Sequence, residues 1–430
     1  MPETSHAQDW FEEIERWPSA RLRSWQLDRL REVVAHARAN VSFYRSLWSK
    51  AGLRESGLDS FDDFARLPII TKQDLLKARG GWANPCDGPV GFSTRGTSGE
   101  PLLLWLGATE EEIYIAPTMR GFRWAGFAPG MTALLMSPVW HRLAACETHA
   151  IARLGGDCAF FWGSLGPDNM DSFLRTLTSV RPRFVTTTAP FLLALVRRAA
   201  HDGLRLAEAF RGVESIVAVG LPLTPRMREF LRARLQVGDV FERSGTQEGA
   251  ALDDCRLHAT PHIHEDVCYL EVVDADGAPV AAGERGRLVV TKLAAAGSIF
   301  VRYDTGDIAA FATGECECGC TFRRLKIYGR PESSVMVGER MITAYDVRLC
   351  VEENPALLGR NVLLIRDRSG ASEVLTVAIE GGECDGDDTA DRLRSRLGVA
   401  RARIVWLGGL RINWGFRQVI DGREIGISNG

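Results

Sequence analysis

Residues Ser93 to Pro101 read STRGTSGEP. Two glycines, Gly96 and Gly99, allow a backbone to approach a ligand closely. Successive N–H groups there can form an anion-binding nest. The hydroxyls of Ser93, Thr94, Thr97 and Ser98 add donors. This is chemistry for a phosphate. Yet the loop holds no lysine, and Glu100 follows its last glycine. It also precedes PLLLWLG, a strand-like run, whereas the lysine-bearing phosphate loop opens a helix. By itself the stretch reads first as a polar hairpin turn and second as a phosphate cradle.

A second constellation is of metal-ligand type. Cys255 is followed by His258, His262 and His264 in CRLHATPHIH, and Cys316, Cys318 and Cys320 follow in CECGC. A C-x-C pair beside a glycine, joined by a distant Cys and His, suits a tetrahedral Cys₃His zinc site. The two halves are about 50 residues apart and can meet only through tertiary structure. Free thiols and surface histidines are the competing reading. Cys86, Cys146, Cys158, Cys268, Cys350 and Cys384 have no ligand spacing and read as ordinary thiols.

These residues need elements to position them. Residues 22–40 place Leu22, Leu27, Leu30, Val33, Val34 and Ala37 on one helical face. FYRSLWSKAG continues as helix and ends at Gly52. Thr71 with Asp74 resembles a capping box. From about 113 to 290, strand-like runs alternate with helical patterns: TALLMS (132–137), RFVTTT (183–188) and SIVAVG (215–220), the last two followed by PFLLALVRRAAHDG and PRMREFLRARL. That alternation predicts a parallel, helix-covered sheet. CYLEVVD and GRLVVTK flank the turn signal DADG and predict an antiparallel addition. Past IYGRPESS the character changes. NVLLIRD, EVLTVAIE and ARIVWLG read as strands, with a helix near DTADRLRSRLG, so a domain boundary falls between Gly329 and Glu332.

The chain has 430 residues, is 45% hydrophobic and carries a formal net charge of -3. That length holds two or more domains. The charge gives no basic field for nucleic acid. No apolar run approaches the ~18 residues that span a bilayer, and the acidic N-terminus lacks the apolar core of a signal peptide. The expectation is a cytoplasmic protein, monomeric or homodimeric, whose partners are small molecules.

NVSFYRSLWSKAG followed by SFDDFARLPIITKQDLL resembles the N-terminal signature of phenylacetate–CoA ligases, members of the adenylate-forming superfamily. In that family a loop of the form SSGTTGKP follows, here STRGTSGEP. Next comes a glutamate motif, here SGTQEG (244–249), and then a TGD motif, here VRYDTGD (301–307). A CxCG element, here CECG (316–319), and a hinge, here GRPES (329–333), complete the order. The resemblance covers essentially the whole chain. It implies an α/β fold, with a large N-terminal domain (1–329) of helix-covered sheets and a smaller, mobile α+β C-terminal domain (330–430). It also implies an ATP-dependent ligase. An aromatic or small hydrophobic carboxylate attacks the α-phosphorus of ATP, giving acyl-AMP, and coenzyme A then takes the acyl group. Alternatives are transfer to an amine, another nitrogen nucleophile or a carrier-protein thiol, and a degenerate protein that only binds nucleotide.

Residue by residue, the resemblance lays Ser93, Thr94, Gly96, Thr97, Ser98 and Gly99 over the β- and γ-phosphates of ATP. Gly220, Ser244, Gly245 and Gln247 fall beside the nucleotide, Glu248 on the Mg²⁺ ligand, Asp307 on the ribose hydroxyls, and Arg330 near the ribose or α-phosphate. The acid pocket falls on Trp140, His141, Phe161, Trp162 and Phe191, each of which also reads as an ordinary core aromatic. For zinc the match selects Cys255, His262, Cys316 and Cys318, with His258 and Cys320 in reserve. Four features depart from the family. Glu100 replaces a lysine, Ser244 an aromatic and Leu221 an acidic residue. Gly415 in NWGFRQVID stands where the adenylation lysine belongs, and residues 327–430 contain no lysine. Loss of one such cation is worth about 3 kcal/mol of transition-state stabilisation. Arg411, Arg417 or Arg423 could supply a charge, and Arg417 is carried forward as the candidate.

Overall fold

A computed structural model describes residues 13–52, 58–82, 90–94, 100–136, 142–163, 169–295, 297–366, 371–382, 386–408 and 419–421. The chain forms two compact units. One contains residues 1–130, 139–158 and 243–326, the other 131–138, 159–242 and 327–430. Among the described residues no helix is long and apolar enough to cross a membrane.

In the first unit, the helix Ser19–Asn40 buries Leu22, Leu30, Val33, Val34 and Ala37. Leu27 is only half-buried, and Gln26 is fully buried in its stead. The burial of Gln26 is tolerated because its Nε2 donates to the Glu265 carbonyl at 2.9 Å. The helix Ser42–Lys50 buries Tyr44 and Trp48, and Gly52 follows at φ +68°. Tyr44 hydroxyl donates to Ile299 O (2.8 Å) and accepts from Val301 N (3.1 Å), so a buried phenol is satisfied on both sides. The Thr71–Asp74 capping box is present, with Thr71 N donating to Asp74 Oδ2 at 2.9 Å. Cys268–Val273, Gly286–Lys292 and Tyr303–Phe311 form successive antiparallel pairs, with Tyr269 opposite Thr291 and Val290 opposite Tyr303.

The second unit holds the predicted parallel strands. Thr132–Leu135 pairs with Phe184–Thr188, which pairs with Ser215–Val219, all in parallel register. Their core includes Leu134, Val185, Phe191, Leu195, Ile216 and Leu231. The helices Ala189–Asp202 and Pro225–Leu235 start where strand runs end. Thr188 and Thr224 cap them, and a proline sits in each first turn, where its missing N–H costs nothing. The C-terminal strands also fall as expected. Val374–Glu380 lies antiparallel to Val362–Arg366 and parallel to Arg401–Leu407. They share a core of their own with the helix Gly386–Leu397, including Val335, Ile342, Val347, Leu364, Val377 and Leu393. Ahead of these strands lie the hairpin Ser334–Val337/Arg340–Thr343 and the helix Ala344–Val351, which the sequence pattern did not indicate. The helix carries a second capping box, Thr343 with Asp346. Its T-x-x-D signal repeats that of Thr71 and Asp74.

That helix, its C-terminal Glu352 and Glu242 of the strand Asp239–Gly245 hold the segment after Ser215–Val219. Arg348 Nη2 donates to Pro222 O at 3.1 Å, Leu223 N donates to Glu242 Oε2 at 2.9 Å, and Thr224 Oγ1 donates to Glu352. Glu352 is buried, and burial raises its pKa despite the opposing pull of Arg348 and Thr224. Between the unfolded and the raised folded pKa the native state holds the extra proton, so stability falls as pH rises. The Glu352→Gln variant lacks this loss. Its stability relative to wild type should therefore grow as pH rises from about 4.5 through the folded pKa. Urea denaturation of both proteins across that range checks the slope, and a pH-independent difference would contradict it.

Candidate functional site

The phosphate-loop stretch connects two antiparallel strands, Val90–Ser93 and Leu103–Leu106, with Ser93 opposite Leu103. Thr94 closes the ladder. Its N–H donates to Leu102 O at 2.9 Å, and its Oγ1 accepts from Leu102 N at 2.9 Å. Ser93 Oγ donates to Thr94 O at 3.1 Å. The hairpin and the cradle are thus compatible, because the hairpin is the mount of the loop. Gly96, Thr97, Ser98 and Gly99 lie outside the described residues. Glu100 is exposed.

The glutamate motif is the turn of another hairpin in the first unit. The end of Asp239–Gly245 pairs with Ala251–Asp253, Ser244 opposite Leu252 and Gly245 opposite Ala251. Thr246 N donates to Ala250 O (3.0 Å), and Gly249 N to Thr246 O (3.2 Å). Gly249 adopts φ +126°, and a Cβ on Gly245 would collide with Ala250 O, so both glycines are dictated by the turn. Ser244, Gln247 and Glu248 are half-buried on it. Lys292, buried at the end of Gly286–Lys292, runs its stem alongside Gly249. It belongs to no sequence motif. Its only signal was a charge closing an alternating apolar run.

Asp307 lies on Tyr303–Phe311 and is 8% exposed. Its N–H donates to Thr305 Oγ1 (3.1 Å), which donates to Leu288 O (3.1 Å), while Gly306 N donates to Asp304 Oδ1 (2.9 Å). Arg302, in the same motif, is buried and forks onto Glu271 at 3.1 and 2.9 Å. It also donates to Leu67 O at 2.6 Å and to Ala65 O. The start of the motif is therefore tied both to the sheet and to the N-terminal helices.

The second unit carries Gly220 and Arg330. Gly220 ends the strand Ser215–Val219 at φ +97°. Leu221, two residues from the gripped Leu223, packs against the apolar core. Arg330 follows Gly329, which adopts φ +127°. Its carbonyl accepts from Ser333 N (2.9 Å) and Ser334 Oγ (2.8 Å). Arg366 Nη2 holds the same segment through Pro331 O (3.3 Å), Glu332 O (2.8 Å) and Ser334 O (2.9 Å). Arg411, Gly415, Arg417 and Arg423 lie outside the described residues, as do Trp140 and His141. Phe161 and Phe191 are buried and both pack edge-on to Phe173, at 5.6 and 5.2 Å, as core residues do. Trp162 is 76% exposed.

The cysteine halves do meet. One donor atom each from Cys255, His262, Cys316 and Cys318 lies within 4.8 Å of the others. Cys255 Sγ is 3.7 Å from Cys316 Sγ, and Cys318 Sγ is 3.3 Å from His262 Nε2. His262 Nδ1 donates to Phe322 O at 2.9 Å, which fixes the tautomer and leaves the Nε2 lone pair facing the sulfurs. Burial pushes the Cys255 thiol up to about 12. His258 instead meets Asp254 Oδ2 at 3.3 Å, and Cys320 packs against the cluster of Ile14, Trp17 and Phe322. Neither reserve is in the group.

No family model matches the chain. It is 25% identical over 382 residues to the phenylacetate–coenzyme A ligase of Thermus thermophilus, across 86% of this chain and 84% of that one. Its fold matches the crystal structure of a 2-hydroxyisobutyryl-CoA ligase in the postadenylation state, in complex with an acyl-AMP. The TM-score is 0.83 at 21% identity, across 96% of this chain and 92% of the other. It also resembles the amide bond synthetase McbA of Marinactinospora thermotolerans, with a TM-score of 0.56 at 17% identity, across 79% and 69%.

Proposed function

We propose that this chain, a relative of the phenylacetate–coenzyme A ligases with the adenylate-forming fold, is an ATP-dependent carboxylic acid ligase. The carboxylate oxygen attacks the α-phosphorus, the bond to the β-phosphate oxygen breaks, and pyrophosphate leaves. A thiol sulfur, that of coenzyme A, then attacks the acyl carbon and AMP departs. The observation that carries the reading is the kinship over 86% of the chain. Glu248 and Asp307, each set on a hydrogen-bonded turn or strand, support it.

In this reading the backbone and hydroxyls of the Ser93–Gly99 loop hold the β- and γ-phosphates, and Gly220, Ser244, Gly245 and Gln247 flank the nucleotide. Glu248 would hold Mg²⁺, a hard cation suited to carboxylate oxygen. Asp307 accepts from the ribose hydroxyls. Arg330 and, from residues 330–430, Arg417 bring positive charge to the α-phosphate in place of the missing lysine. An arginine keeps its charge at any working pH and forks onto phosphate. The acid is aromatic or small and hydrophobic, in the region of Trp140, His141, Phe161, Trp162 and Phe191. Cys255, His262, Cys316 and Cys318 fit structural Zn²⁺. Tetrahedral bonds of about 2.3 Å set two sulfurs about 3.8 Å apart, against the 3.7 Å between Cys255 and Cys316. All four positions are filled by protein, so this ion would brace the fold rather than touch substrate. The cytoplasm is the compartment that suits the free thiols.

The likeness to an amide bond synthetase gives a second acceptor class, an amine in place of the thiol. One experiment tests both. With ATP and Mg²⁺, an acid panel should release pyrophosphate only when the correct acid is present. Mass spectrometry with coenzyme A or amines then identifies the product. Retained ATP binding with no acid-dependent release from any acid would refute the ligase reading.

A further inference from the structure

Asp253 stands directly opposite Arg243 at the base of the hairpin that carries Ser244 to Glu248. Arg243 Nε donates to its Oδ1 at 2.7 Å, and Nη2 to its Oδ2 at 3.3 Å. Asp253 Oδ2 also meets His264 Nε2 at 2.8 Å. The other ring nitrogen, Nδ1, faces Arg120 Nη1 at 2.9 Å. A guanidinium only donates, so Nδ1 accepts and Nε2–H points to Asp253. Arg120 forks onto Asp266 at 2.9 and 2.8 Å and reaches Glu15 Oε2 at 3.1 Å. Asp253, His264, Arg120 and Asp266 are all buried.

This chain of polar groups interleaves with the Cys/His cluster. Cys255 comes two residues after Asp253, and His262 two before His264. The Trp124 ring stacks on His264 with centroids 5.3 Å apart and lies 5.5 Å from that of His262. Gly121, on the same helix as Trp124, leaves the space. A Cβ there would lie against both carboxylate oxygens of Asp253. A buried carboxylate held from two sides by charged and ring donors has one position, and so has the strand that bears it.

We propose that Asp253 is a positioning residue that holds the Glu248 turn in register and couples the Cys/His cluster to it. The proposal rests on the reading of Glu248 as the Mg²⁺ carboxylate. Buried ionic networks add little stability over apolar packing of the same volume; what this one supplies is geometry. The test measures Mg²⁺-dependent ATP binding by calorimetry without acid and titrates Mg²⁺ in acid-dependent pyrophosphate release, with the fold of each variant checked by circular dichroism and melting. Glu248→Gln is the reference and should raise the Mg²⁺ needed for half-maximal rate. Asp253→Asn should raise it about 10- to 100-fold, the usual scale for residues that orient a metal ligand, while KM for the acid stays unchanged. His264→Gln retains a donor for Asp253 and an acceptor for Arg120, and should give a smaller rise. It decides by the same criterion if Asp253→Asn does not fold. A folded Asp253→Asn protein with the wild-type Mg²⁺ requirement overturns the proposal, even if its turnover falls. An unaltered requirement in Glu248→Gln overturns the premise, and that failure is visible before Asp253 is tested.

Discussion

Asp307→Ala is expected to lower kcat/KM for ATP about a hundredfold with the fold intact. The carboxylate accepts, in the proposed role, from two ribose hydroxyls. Each charge-assisted bond is worth about 1.5–3 kcal/mol, and about 1.4 kcal/mol is a factor of ten in rate. Even the low end, taken twice, gives two powers of ten. The backbone bonds Asp307 N on Thr305 Oγ1 and Gly306 N on Asp304 Oδ1 do not use the Asp307 carboxylate and survive the change. Sugar-modified substrates make the test specific. Wild type should lose a similar factor with 2′,3′-dideoxy-ATP, and Asp307→Ala should lose little more. Equal penalties for the modified nucleotide in both proteins would show that Asp307 does not read the ribose.

The Cys316→Ser/Cys318→Ser variant is expected to lose its metal and the local fold of the first unit. Elemental analysis of wild type should give about one zinc per chain, and of the variant none. The magnitude is large because metal binding is folding free energy, about 10–16 kcal/mol for structural zinc in small peptides at neutral pH. The larger unit shares that role with its hydrophobic core, so the expected result is local opening rather than global unfolding. Limited proteolysis near residues 254–264 and 312–324 should report it, along with a lower melting temperature. Metal-free wild type that is equally resistant to protease would remove the structural role. Through Asp253, wild type stripped of zinc and freed of chelator is also expected to need more Mg²⁺.

The fold class and the resemblance to the phenylacetate–CoA ligases were legible in the chain itself, for local reasons. Strand runs such as RFVTTT and SIVAVG end in a threonine or a glycine and are followed by proline-started helices. Such signals act over a few residues and need no distant partner. The turn glycines are legible for the same reason: Gly249 and Gly306 adopt left-handed φ of +126° and +74° that their turns require. The resemblance carried Glu248, Asp307 and the zinc quartet onto numbered positions.

Other features were decided only in three dimensions. Sequence spacing left His258 competing with His262, and Cys320 with Cys318. The choice rests on which donors converge within 4.8 Å after about 50 intervening residues have folded. Gln26 lies outside the apolar pattern of its helix, and its burial is satisfied by Glu265 O, 239 positions away. Lys292, Asp253 and Arg120 carry no motif, and His264 stands in the sequence only as one of the histidines after Cys255. Their significance comes from burial, and a buried polar group is meaningful only with its partner, which one-dimensional spacing does not specify. What the sequence by itself determined is what short-range physics encodes: periodicity, caps, turn glycines and a recognisable order of motifs. What the tertiary structure decided is which distant polar groups meet, because burying a charge is costly enough to select its partner from anywhere in the chain.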